Sequence, residues 1–159
     1  MTASPAIVIL GPSALATGRL IQALYPQAVI HGLSGRVEAD QAYDDFGDTL
    51  RSLYRSDTPI IALCAAGIVI RSLAPLLANK GAEPPVLAVA EDGSAVVPLL
   101  GGLGGVNRMA RQIATELQVS AAITTSGELR FGTCLLDPPS GYVLADICLL
   151  YTSPSPRDS

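Results

Sequence analysis

Residues 99–110 read Leu-Leu-Gly-Gly-Leu-Gly-Gly-Val-Asn-Arg-Met-Ala, a pattern suited to holding an anion. Gly101, Gly102, Gly104 and Gly105 follow an apolar run and open onto a helical pattern. A glycine turn at a helix start leaves backbone N–H groups uncovered beside the positive end of the helix dipole. A carboxylate or phosphate fits such a place. The alternative is a plain connector, with Asn107 capping the helix. The spacing matches neither GxGxxG nor GxxxxGK[ST], and no lysine follows the glycines, so a nucleotide site is the weakest of the readings.

A second candidate is Ala65-Ala66-Gly67 with Arg71 one helical turn on. Small residues permit a sharp turn into a helix, and Arg71 offers a bidentate contact to a carboxylate. The alternative is close packing with a solvated Arg71. Thr124 and Thr125, followed by Ser126 and Glu128, place hydroxyls and a carboxylate at a strand end, or simply form a polar turn. Glu91 and Asp92 are adjacent carboxylates that suit either acid–base work or a turn. His31 is the single histidine, and no Ser/His/Asp or Cys/His set accompanies it, so it reads as incidental. Cys64 sits in an apolar run and reads as an inert core thiol.

The elements that must position these residues follow from periodicity. Apolar runs predict strands at 6–10, 28–31, 59–64, 86–90, 94–100 and 121–125. Helical spacing predicts 14–25, with Leu15, Leu20, Ile21 and Leu24 inward, and 43–55, with Phe46, Leu50, Leu53 and Tyr54 inward. A further helix covers 68–77, kinked at Pro75. The helix at 106–117 turns Val106, Met109, Ala110, Ile113, Ala114 and Leu117 to one side. Glu91-Asp92-Gly93 signals a hairpin. Alternating strands and helices predict an α/β fold: a mostly parallel sheet with helices on both faces plus one antiparallel hairpin. Ligands in such sheets bind outside the carboxyl ends of the strands. The turns 11–13, 65–67 and 124–128 are then expected at one rim. The glycine loop 101–107 is expected to join them, so that main-chain amides converge on one cleft.

Composition narrows the classes. The chain has 159 residues, 49% hydrophobic and 15% charged, enough for one domain with a real core. A net charge of −4 and 4% aromatics argue against a nucleic-acid partner. No segment reaches the about 18 apolar residues of a membrane span, and the amino end lacks a basic signal-peptide region. Cys64, Cys134 and Cys148 form no CxxC pair, so neither a disulfide framework nor a metal site is expected, and reduced thiols suit a cytoplasmic protein.

Taken in order, 67–77, 85–89, Glu91-Asp92-Gly93, 97–102, Gly105-Val106-Asn107 and 122–125 resemble the N-terminal domain of the cobalamin-biosynthesis hydrolases that act on cobalt-precorrin-5A. The resemblance implies an α/β protein of corrin-ring assembly, with a corrinoid intermediate as its partner. Members of that family open a lactone on the macrocycle and release acetaldehyde. The run 126–139 looks more like a form fused ahead of a precorrin-3B C(17)-methyltransferase. On that reading residues 1–126 are the hydrolase-like domain, 127–146 begin a linker or next segment, and 147–159 are a disordered, non-native tail. No cofactor is expected in this stretch; S-adenosylmethionine would belong to a methyltransferase domain that followed. The family's glycine loop carries a histidine where this chain has Leu103-Gly104, which removes the imidazole from any proton transfer there. The turns read above give the expected substrate-binding set, Ala66, Gly67, Arg71, Gly101, Gly102, Gly104, Gly105, Asn107, Thr124 and Thr125, which agrees with the resemblance; no catalytic residue is carried over from it. The expected alternatives are a lactone hydrolase and a non-catalytic corrinoid docking module.

Overall fold

The computed structural model describes residues 4–78 and 83–125. The chain divides into two units, Met1–Ala122 and Ile123–Ser159, and every helix and strand named below belongs to the first. Its elements are β1 (Ala6–Ile9), α1 (Leu15–Leu24), β2 (Val29–Leu33), β3 (Gln41–Tyr43), α2 (Phe46–Arg55), β4 (Ile60–Leu63), α3 (Ala66–Leu73), β5 (Val86–Val89), β6 (Val96–Leu100) and α4 (Val106–Leu117). The strands form one sheet in the order β3-β2-β1-β4-β5-β6. The first five are parallel, and β6 runs antiparallel to β5. The α/β architecture read from the sequence, with its antiparallel pair, is thus the one observed.

Burial explains the composition of the strands. Every residue of β1, β4 and β5 is buried, as expected for parallel strands covered on both faces. On one face Val8, Ile60, Ala62, Val86 and Ala88 pack against Leu50 of α2 and Val69 and Leu73 of α3. On the other, α1 lies so close that a Cβ on Gly18 would touch Ile7, Ile9 and Ile30. α1 also packs against α4. Each helix presents a stripe while the strands are apolar throughout, so the central strands read as continuous runs in the sequence.

Two neighbouring strands set the functional geometry. β1 leads through α1 to β2 on one side, and β4 leads through α3 to β5 on the other. Right-handed crossovers in opposite directions place α1 and α3 on opposite faces. The chain therefore parts at the carboxyl ends of β1 and β4, where doubly wound sheets open a crevice.

Several expectations needed correction. Leu20, expected inward, is 50% exposed. Tyr43 belongs to β3 rather than to a helix, because Asp45 starts α2 by accepting a hydrogen bond from the Asp48 N–H at 2.8 Å. α3 ends at Leu73, and a 3-10 turn Ala74–Leu76 takes up the Pro75 ring. The strand expected at 121–125 reduces to a single bridge, Val96 with Ala121. The run 126–139, the segment 127–146 and the tail 147–159 lie outside the described residues.

Asp40 ties the loop between β2 and β3 to α1. Its carboxylate accepts from the Ile30 N–H at 3.1 Å, Gln22 Nε2 at 2.7 Å and Arg19 Nη1 at 2.9 Å. These bonds, the backbone one foremost, hold its pKa down to about 2 from 3.8. A depressed carboxylate stabilises the fold above its ordinary pKa, and the contribution fades as pH falls through 3.8 toward 2. The pair is half exposed, so solvent limits the effect to about 1 kcal/mol. Asp40→Asn is expected to lower stability by about that much at pH 7 and to match the parent below pH 2. Urea melts at the two pH values check it.

Candidate functional site

The crevice at the β1–β4 division holds a cavity of about 600 Å³. Ser13, Cys64, Ala65, Ala66, Ala90 and Glu91 border it, with Asp92 at its margin. Short side chains make this space: alanines at 65, 66, 88, 90 and 95 form its walls. An apolar wall of methyl groups suits a broad, flat, apolar ligand.

Ala65 is extended, and the helix begins at Ala66, so the first-turn amides of α3 open beside the cavity with no side-chain cap. Arg71 points back along α3 toward this end, as helical side chains do. A Cβ on Gly67 would lie 3.2 Å from Arg71 Nη1, so the guanidinium rests over Gly67. A second guanidinium comes from the loop after β2. Arg36 reaches the end of β1, and a Cβ on Gly11 would lie 3.9 Å from its Nη2. Neither guanidinium has a hydrogen bond or ion pair among the described residues. Two cations and a helix start thus face the exits of adjacent strands, an arrangement that receives carboxylates. Arg36 stands alone in a polar loop of the sequence, with no motif around it to single it out.

On the opposite wall, Ser13 donates a hydrogen bond to Glu91 Oε2, and the buried Thr17 hydroxyl donates to the Glu91 carbonyl at 2.6 Å. Asp92 Oδ1 accepts from the Ser94 N–H at 3.0 Å, so this carboxylate shapes the turn. Burial first, then the charge of Glu91, pushes the Cys64 thiol up to about 11. A thiol this reluctant to ionise is no nucleophile at neutral pH. Alkylation of Cys64 by iodoacetamide at pH 8 is expected to run about two orders of magnitude slower in the folded protein than in urea. Peptide mapping of the labelled chain checks this. Burial, partly offset by Asp40, lowers the His31 pKa, and the ring lies within β2 rather than at the cavity.

The glycine loop is elsewhere, which overturns the expectation of one shared cleft. β6 runs antiparallel, so its end at Leu100 pairs with Val86, the start of β5. Gly101 therefore emerges at the amino edge of the sheet, opposite to residues 65–71. It packs on the chain entering β5: a Cβ there would sit 2.5 Å from Pro85 Cα and 2.7 Å from the Pro84 carbonyl oxygen. Gly102–Gly104 form a 3-10 turn. Gly105, at φ +87°, is the residue that caps α4, and Asn107 is buried inside the first turn instead of capping it. Gly104 and Gly105 border a separate cavity of about 340 Å³ with Tyr25, Pro59 and Arg108. Among the predicted site residues the structure thus brings together Ala66, Gly67 and Arg71 at one edge. It gathers Gly101, Gly102, Gly104, Gly105 and Asn107 at the other. Thr124 and Thr125 are exposed and belong to the second unit.

Comparison with known proteins adds the family. The chain is 32% identical over 128 residues to the cobalt-precorrin-5A hydrolase of Salmonella typhimurium, covering 79% of this chain and 36% of that protein. It is 31% identical over 98 residues to the cobalt-precorrin-5A hydrolase of Priestia megaterium, covering 58% and 26%. The chain thus spans about a third or less of the length of these curated relatives. The crystal structure of a cobalamin biosynthesis protein G homolog from Sulfolobus solfataricus shares the fold, with a TM-score of 0.58 and 21% identity over 76% of this chain and 36% of that one. Residues 48–128, half of the chain, match the family described as cobalamin synthesis G N-terminal, and the chain belongs to that family.

Proposed function

We propose that this domain holds a corrinoid intermediate of cobalamin synthesis at the β1–β4 crevice. The observation that carries the reading is an alanine-walled cavity beside the start of α3, with the guanidiniums of Arg36 and Arg71 over Gly11 and Gly67 at the exits of the neighbouring strands β1 and β4. A corrin precursor is a flat apolar ring bordered by acetate and propionate carboxylates. The methyl-lined wall receives the ring, and the guanidiniums receive the carboxylates.

The names of both curated relatives favour lactone opening on cobalt-precorrin-5A over a methyltransferase fusion. The fused form remains an alternative reading that rests on residues 126–139, and S-adenosylmethionine would serve only a domain beyond them. A non-catalytic docking module is the third reading. Leu103 in place of a histidine bears little on the choice if the chemistry lies in the crevice, because residue 103 is at the opposite edge.

The test is a titration of the chain with cobalt-precorrin-5A, followed through the visible absorption of the macrocycle. Saturable spectral change supports the reading. A spectrum unchanged at every protein concentration rejects it. Acetaldehyde release then separates the hydrolase from the docking module.

A further inference from the structure

The adjacent carboxylates Glu91 and Asp92 have parted roles. Asp92 is tied to the Ser94 N–H and holds the turn. Glu91 is fastened from a different element. It follows β5, yet its carboxylate receives the hydroxyl of Ser13, which follows β1. β4 lies between those two strands in the sheet. The Ser13–Glu91 bond therefore spans the exit of β4, over Cys64 and Ala65 at the floor of the cavity. Thr17 fixes the backbone beneath it at 2.6 Å. One carboxylate oxygen is held by Ser13, and the other has no hydrogen-bond partner among the described residues. α3 starts beside the same cavity with its positive end toward it.

We propose that Glu91 is the general base for addition of water to an ester or lactone carbonyl bound in this cavity, and that Ser13 positions it. The proposal rests on the corrinoid reading above. Glu91 takes one proton from a water molecule, and the water oxygen bonds to the carbonyl carbon. The ring C–O bond then breaks, and the departing alkoxide takes the proton back from Glu91. The net change is one water added across the ester, giving a carboxylic acid and an alcohol. Acetaldehyde leaves when that alcohol loses its O–H proton, its C=O forms and the C–C bond to the macrocycle breaks, the electron pair and a proton passing to the ring, with no other co-reactant. Negative charge grows on the carbonyl oxygen during the attack, and the first turn of α3 together with Arg71 favours charge of that sign. Ser13 is not the nucleophile: no imidazole stands beside it, and its proton is committed to a carboxylate.

The test uses the 159-residue chain with cobalt-precorrin-5A as substrate and two separate readouts, binding by spectral titration and acetaldehyde release. Glu91→Gln keeps the shape and removes the base. The expected result is binding within twofold of the parent and release slowed at least 100-fold. Glu91→Asp, which restores a carboxylate on a shorter arm, is expected to recover part of the rate. Ser13→Ala is expected to slow release by about tenfold and to shift its pH profile, which a purely structural serine would not do. Glu91→Gln releasing acetaldehyde at the parental rate overturns the proposal and leaves the corrinoid reading standing. A parent that binds but releases none overturns it as well. A parent that does not bind at all sinks both.

Discussion

Gly101→Ala is expected to destabilise the domain by about 3–5 kcal/mol. Two costs combine. Gly101 has φ +93° and ψ 39°, a left-handed backbone that disfavours any L side chain by about 1–2 kcal/mol. The added carbon would also meet Pro85 Cα at 2.5 Å and the Pro84 oxygen at 2.7 Å. These are main-chain atoms leading into a wholly buried strand, so they cannot swing aside. The β5–β6 pairing has to open instead. A domain of this size has about 5–15 kcal/mol of total stability, so the variant loses a large fraction of it. Gly35→Ala is the matched control. Gly35 has φ +78° with nothing within 4 Å of its would-be Cβ, so only the backbone cost of about 1–2 kcal/mol applies. Urea denaturation of both variants separates the terms. Equal midpoints would remove the Pro84–Pro85 contact from the account.

The Arg36→Ala, Arg71→Ala double variant is expected to bind a carboxylate-bearing corrinoid roughly 30- to 1,000-fold more weakly. A hydrogen bond to a charged group contributes about 1.5–3 kcal/mol, less here because both arginines are exposed. Two such contacts therefore amount to about 2–4 kcal/mol. Dicyanocobyrinic acid, a stable corrinoid with free carboxylates, is a practical probe, and its methyl ester is the neutral comparison. Loss of affinity for the acid with none for the ester identifies the arginines as carboxylate contacts. Arg108→Ala tests the other edge, since Arg108 borders the cavity beside the glycine loop. If that variant loses the affinity and the double variant keeps it, the ligand sits at the amino edge and the crevice reading fails.

Most of the fold was legible in the sequence because its elements depend on local pattern. α4 runs from Val106 to Leu117, the residues its apolar spacing marked. β1, β4 and β5 stood out as short apolar runs because both faces of the sheet are covered. β3 escaped notice: Gln41 and Ala42 are exposed at the sheet margin, and three residues carry no period. The candidate site was legible in half. Ala66, Gly67 and Arg71 are consecutive in helical register, so their proximity is local. Arg36 reaches Gly11 only through the return of a loop, which no spacing encodes. The misplacement of residues 101–107 has a plainer cause. An antiparallel strand brings the chain back to the edge where its partner began, so reading a hairpin at 86–100 already entails a glycine loop at the amino edge. The alternative reading of Glu91 and Asp92 as turn residues holds for Asp92, whereas Glu91 is drawn across the crevice by Ser13, a contact 78 residues away in sequence.

The two margins of the sheet are built to stay solitary. β3 has three residues, of which only Gln41 and Ala42 are exposed, with Asp40, Asp44 and Asp45 close by, too short and too negative a ribbon for a neighbouring molecule to extend. β6 carries Pro98, which has no N–H to give, and an irregular register opposite Val86 and Leu87 interrupts its line of donors and acceptors. A half-apolar chain of this composition would otherwise stack edge to edge as its concentration rises. These interruptions, with the bridge of Val96 to Ala121 beside β6, oppose such polymerisation.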